Sequence, residues 1–128
     1  MWNFFRSSEF QHYSGLFIGA VWCFHGLHSK IFNGIPRHRK IVAKILGEAV
    51  AGKVILLIGS LEFFLGVWVL SDWQRIPCAT VQTLAIIAMN TLEILLAREF
   101  LVSAPGMLFL NLLLLALAWN WALPVSLP

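Results

Sequence analysis

The 128-residue chain is 59% apolar and only 12% charged, with a formal net charge of +3, and its mean hydropathy is +0.82. Soluble globular domains carry about 25% charged residues, so the composition excludes an ordinary soluble domain and predicts an integral membrane protein. At ~20 apolar residues per spanning helix, the chain has room for four short-looped spans and no soluble domain. It is expected to form a single membrane domain whose immediate partner is the lipid bilayer. No nucleic-acid partner is expected.

The first span is expected at about 13–32. Gly15, Gly19, Trp22 and Gly26 form a ridge of mostly small residues along it, with His25 beside that ridge. It does not read as a cleavable leader: no basic stretch and small-residue cleavage site frame it, and it carries His25, His28 and Lys30. A long connection follows, opening with the turn NGIP and continuing as PRHRKIVAKILGEAV. There Ile41, Val42, Ile45 and Leu46 share one helical stripe while Arg39, Lys40 and Lys44 lie mostly off it. The pattern predicts a helix at about 37–50, either lying in the headgroup layer with its basic groups toward anionic lipid or packed on the bundle as an amphipathic loop helix.

The second span is expected at about 54–70, where Gly59 and Gly66 continue a seven-residue repeat from Gly52 and Glu62 follows Gly59 by three. The acid therefore sits on the face that lets helices approach closely. A short turn, SDWQRIPC, leads to a third span at about 79–97, in which Gln82, Ile86, Met89, Asn90, Glu93 and Ala97 share a stripe. After REFLVSAPG, the fourth span is expected at about 106–123, with Asn111 inside it. Continuous apolarity without period-two alternation argues against a β-barrel. The predicted fold is all-α: an integral membrane antiparallel four-helix bundle with an amphipathic interfacial helix in its first long loop.

Charge orients this bundle. Lys30, Arg37, Arg39, Lys40, Lys44, Lys53 and Arg98 flank the first and third connections, whereas Arg6 and Arg75 stand on the other side. The positive-inside rule puts the long loop in the cytoplasm. In a bacterium that means the inner membrane, with both termini periplasmic. Trp2, Trp73, Trp119 and Trp121 are expected in the aromatic belt of the outer interface. Cys23 and Cys78 are expected at different depths and no C-x-x-C is present, which weighs against a disulfide or thiol exchange.

Depth counting gathers the remaining polar residues. From the cytoplasmic ends of their spans, His25 lies seven residues in, Glu62 eight, and Glu93 and Asn111 five each. At a rise of ~1.5 Å per residue all four reach roughly the same level, 8 to 12 Å into the bilayer. Asn90 lies one turn from Glu93, His28 and Trp22 one turn on either side of His25. Ionisable residues inside a span are costly and mark a partner, a cavity or a site. His25, Glu62 and Glu93 are therefore the candidate catalytic, proton-exchanging groups, and Trp22, His28, Asn90 and Asn111 the candidate ligand-binding ones. The competing structural reading is interhelical hydrogen bonding at roughly 0.6 kcal/mol apiece, with Arg98 or Lys30 as a partner for Glu93.

Imidazole plus two carboxylates suits iron, manganese or zinc, but the Glu-x-x-His pair of di-iron bundles is missing and no metal site is expected. His25 and His28 share a helix and could not sandwich a haem. A quinone asks for less: a His or carboxyl to hydrogen-bond and protonate a carbonyl oxygen, beside walls that Trp22, Phe24, Phe63 and Phe64 could supply. Proton-coupled transport would use the same carboxyls.

The strings VWCFHGLHSKIF, PRHRKIV, LIGSLEFFLGVWVLSDW, AMNTLEILLAREFL and GMLFLNLLLLALAW resemble the DoxX-like family of small four-helix bacterial membrane proteins. The resemblance covers nearly the whole chain. Its most telling pieces are His25-Gly26-Leu27 with Lys30, and Glu62 followed by Leu65, Gly66 and Trp68. It implies a four-helix bundle and, by association with DoxX and DoxD relatives, work at the quinone pool, such as a membrane subunit of a thiosulfate:quinone oxidoreductase. The expected function is a redox-linked, quinone-associated membrane subunit working with other membrane subunits or as a homo-oligomer. The alternatives are a non-catalytic structural or accessory subunit of a larger membrane complex, or a small proton-coupled transporter.

Overall fold

A computed structural model of the protein describes Phe4, residues 7–32, Gly34, and residues 36–101 and 103–124. Trp2 and Arg6, and the Asn33 and Ile35 of the expected NGIP turn, lie outside the described residues. Helix α1, Ser8–Phe24, starts at Ser7, whose hydroxyl accepts from the Phe10 amide, with Glu9 in the first turn where the helix dipole favours an acid. It passes without a break into a π-helical segment, His25–Ile31. Helix α2, Pro36–Leu46, begins with the proline that an opening turn accommodates. Gly47, at φ +99°, then breaks the chain direction in a conformation that side chains rarely adopt, and α3, Glu48–Ser71, follows at once.

The turn from α3 into α4, Arg75–Leu96, uses left-handed backbone at Asp72 and Gln74. A single 3₁₀ turn, Arg98–Phe100, leads on to α5, Ala104–Ala122, where the Ser103 hydroxyl accepts from the Gly106 amide and Pro105 sits in the first turn. The fold is all-α, with no strand among the described residues. Among the described residues three helices, α3, α4 and α5, are long and apolar enough to cross a membrane.

Two packing relationships position the site. Along the first, α1 and α3 approach at glycines: a Cβ on Gly66 would lie 2.8 Å from the Gly19 carbonyl, and one on Gly59 2.8 Å from the Gly26 carbonyl. Close backbone contact of this kind is how helices associate where lipid gives no hydrophobic drive. Gly52, the third member of the seven-residue repeat, plays no such part; its nearest neighbour is Arg39 Nη2 at 3.5 Å. Along the second, α4 packs on α5, and the two pairs join through a buried cluster that includes Ile18, Val69, Cys78, Ala79, Ala118 and Trp121.

Trp121 corrects an expectation. It is 0% exposed, a core residue rather than part of an interfacial belt. Gly15 makes its space: a Cβ there would fall 2.6 Å from the indole nitrogen. That nitrogen donates to Asp72 Oδ1 at 3.2 Å, and the Arg75 guanidinium lies 5.3 Å from the ring centroid. At the other end of the molecule α2 turns Ile41 and Val42 inward, Val42 against Ala51 and Ile55 of α3, and leaves Arg39, Lys40 and Lys44 exposed.

Candidate functional site

Between the α1–α3 pair and the α4–α5 pair, with α2 contributing to its wall, lies a cavity of about 700 Å³, within the ~300–1,000 Å³ typical of small-molecule sites. Toward α2 its wall is polar, with His25, Lys30, Arg37, His38, Glu62 and Glu93. The rest is largely apolar, including Trp22, Ile86, Met89, Leu114 and Leu117.

The π-helical segment arranges the polar end. In an α-helix, residues three and four apart share a face; a π turn is wider, closing i to i+5 hydrogen bonds. His25 and Lys30, five apart, both line the cavity. His28 does not: it is exposed, its ring stacked on Phe24 at 4.9 Å between centroids. The expectation that His28 sits beside His25 rested on α-helical spacing, and the π segment removes it.

Lys30 Nζ reaches Glu62 Oε2 at 2.9 Å, and both side chains are nearly buried. Glu62 is only 5% exposed, and its other oxygen, Oε1, is buried without a hydrogen-bond partner among the described residues. Glu93 lines the same cavity but is paired with neither Lys30 nor Arg98, the partners expected for it. Lys30 instead serves Glu62. Above these groups Trp22 donates from Nε1 to Gln82 Oε1 at 2.9 Å, and Asn111 Nδ2 donates to Asn90 Oδ1 at 2.9 Å.

His38 is the residue that sequence reasoning missed. It stands on α2 with its ring 6.0 Å from that of His25 and its Nδ1 buried without a hydrogen-bond partner among the described residues. Burial, reinforced by the charge of Lys30 and by His25 and Arg37, pushes its pKa down to about 3. It is a neutral imidazole at physiological pH, offering one donor and one acceptor. A signal existed: His38 precedes the buried Ile41 and Val42 by three and four residues, which places it on the inward stripe of α2.

Of the residues singled out from sequence, Trp22, His25, Glu62, Asn90, Glu93 and Asn111 share this one cavity, drawn from α1, its π-helical continuation, α3, α4 and α5. Of the aromatic walls expected, Trp22 lines it, while Phe24, Phe63 and Phe64 do not. Among the described residues no group of three or more His, Cys, Asp or Glu is placed to hold a metal ion. What the wall can do chemically is hold a compact polar head through hydrogen bonds and exchange protons with it, while enclosing apolar matter beyond.

No curated protein and no solved structure matches the chain significantly. The sequence model of the DoxX-like family matches residues 19–119, which include every polar residue of the cavity wall named above. With three helices long and apolar enough to cross a bilayer, and a family match over most of its length, the chain is a membrane protein that belongs to the DoxX-like family.

Proposed function

We propose that the protein is a redox-linked membrane subunit that binds a quinone in the cavity between its two helix pairs. On this reading α1 with its π-helical continuation, α3, α4 and α5 cross the bacterial inner membrane as one antiparallel four-helix domain. The basic residues Arg39, Lys40 and Lys44 keep α2 in the cytoplasmic headgroup layer, and both termini are periplasmic. Further membrane subunits, or copies of the same chain, complete the redox unit.

One observation carries the reading. Glu62 Oε1 and His38 Nδ1 are both buried on the wall of the cavity with no partner among the described residues. A buried polar atom left unpaired costs ~1–3 kcal/mol, and a ligand with hydrogen-bonding groups on a compact ring offsets that cost. The donor set fits such a head in both redox forms: Glu62 Oε1 accepts from a quinol hydroxyl, while imidazole N–H groups of His25 or His38 donate to a quinone carbonyl. A bound quinone would supply the capacity to take up two electrons and two protons. The chain's own residues bind and orient the head, and Glu62, held by Lys30, and the two imidazoles hold or pass protons at its oxygens. Trp22, Ile86 and Leu114 form the apolar wall beside the head and exclude water there.

The test is equilibrium binding of a soluble benzoquinone and its quinol to the purified protein, read by tryptophan quenching. Saturable binding is expected, weakened about tenfold or more in Glu62→Gln and in His25→Ala, the loss of a hydrogen bond to a charged or buried partner. Absence of saturable binding to the wild-type protein overturns the reading. One observation favours a second reading, that of a structural or accessory subunit: Lys30–Glu62, Trp22–Gln82 and Asn90–Asn111 fasten helices to one another. Under it, the same variants lose stability and wild-type protein binds no quinone.

A further inference from the structure

The cavity has a side door. Phe17 and Leu113 line it, yet they are 58% and 53% exposed on the molecular surface, and Leu110, also on the wall, is 65% exposed. A residue that both lines a cavity and faces outward marks an opening. These residues belong to α1 and α5, and the contacts between those helices explain why the opening is there. Toward the Asp72 end the two are clasped: Gln11 Nε2 donates to the carbonyls of Asn120 and Leu123 at 2.9 and 2.8 Å, and Trp121 fills the space over Gly15. Toward the α2 end the helices part around the cavity, with Phe17 and Val21 on one lip and Leu110, Leu113 and Leu117 on the other. Their spacings of three and four residues make each lip a continuous helical stripe.

The lips carry no polar side chain, and Leu113 is the middle residue of α5, Ala104–Ala122. In a helix that crosses the bilayer this position lies in the hydrocarbon layer. The polar end of the cavity, with Lys30, Arg37, His38 and Glu62, lies toward α2. Head site and slot thus follow the two ends of an amphiphile lying in one leaflet, head toward the α2 surface and tail toward the bilayer centre.

We propose that the ligand enters and leaves sideways from the lipid, through the slot between α1 and α5, and that a single long apolar tail stays threaded between Phe17 and Leu113 while the head is held inside. The ligand class is a lipid-phase amphiphile with a compact hydrogen-bonding head and one isoprenoid or alkyl tail. This rests on the cavity being a quinone site. Lipid tails are as apolar as leucine, so the slot adds little equilibrium affinity for the tail. Its signature is kinetic.

The experiment uses the full chain in lipid nanodiscs and stopped-flow quenching of tryptophan fluorescence by two probes: a tailless dimethoxy-methyl-benzoquinone and the same head bearing a decyl tail. The double variant Val21→Phe/Leu113→Phe narrows the slot without touching the polar end. Association of the decyl compound is expected to slow by about tenfold, within the one to three decades over which association rates vary among variants of one site. The tailless compound is water-soluble and can also reach the polar end past Ser103, which lines the cavity and is exposed; it is expected to bind the variant at nearly the wild-type rate, which also establishes that the variant is folded. Equal effects on both compounds, or none on the decyl compound, overturn the slot and leave the quinone reading standing. Failure of both compounds to bind the wild-type protein overturns the two together.

Discussion

The ammonium of Lys30 lies 2.9 Å from one carboxylate oxygen of Glu62, whereas the other oxygen of that carboxylate is buried and has no partner among the described residues. The pair neutralises a charge deep in an apolar fold and still leaves one strong acceptor open to the cavity. Breaking such a pair by removing one partner strands the other charge, at ~3–5 kcal/mol, while replacing both with apolar groups is often near neutral. Lys30→Met is therefore expected to lower the thermal midpoint of the detergent-solubilised protein more than the double variant Lys30→Met/Glu62→Leu. A double variant less stable than both singles would show that the pair does not act as a unit.

The acid side of the stability profile is expected to depend on His38. Its folded pKa, about 3, lies below the ~6.5 of an unfolded histidine. Between these values the unfolded chain binds the proton and the folded chain does not, so stability is fully present above about pH 6.5 and is lost as pH falls toward 3. His38→Gln removes this contribution. Thermal midpoints measured from pH 7 down to pH 4 are expected to fall less steeply in the variant; parallel profiles would contradict the assignment.

Gly26 and Gly52 are expected to respond oppositely to alanine. A Cβ on Gly26 would meet the Gly59 carbonyl and come within 2.6 Å of the Phe63 amide nitrogen, both backbone and neither able to yield cheaply. Overpacking of this kind typically costs ~1–3 kcal/mol. Gly52 has only Arg39 Nη2 in reach, at ordinary contact distance, and Gly→Ala at a compatible helical site stabilises by about 0.4–1 kcal/mol. Thermal unfolding of the two variants side by side checks both signs.

Gln82 is 0% exposed and accepts the Trp22 indole N–H on the cavity wall. Gln82→Leu leaves that N–H buried and unpaired, a loss of ~1–3 kcal/mol. Adding Trp22→Phe removes the orphan and is expected to recover part of it. If the double variant is no more stable than Gln82→Leu alone, the indole finds another partner.

What could be read from sequence follows from how regular the chain is at each point. Glu62, Asn90, Glu93 and Asn111 sit in uninterrupted α-helices, where a fixed rise per residue turns position into depth, and all four reach one cavity. His28 was misplaced because the chain changes to a π turn three residues before it, which leaves no apolar periodicity to read. Arg37 and His38 fall within the helix expected at 37–50 but are not among the site residues expected from sequence, because periodicity gives the face of α2 but not where α2 docks. Trp121 looked interfacial by its place near a helix end; its burial depends on Gly15, more than a hundred residues earlier. Pairings of that range are tertiary facts.

The clasp at Gln11 joins positions 109 and 112 residues apart. The glycine contacts between α1 and α3 involve only residues up to Leu70, all of them N-terminal to α4 and α5. Contacts as distant in sequence as the clasp are the slow ones to close. The cavity is enclosed on both sides only in the chain whose last helix is docked, with Trp121 seated on Gly15.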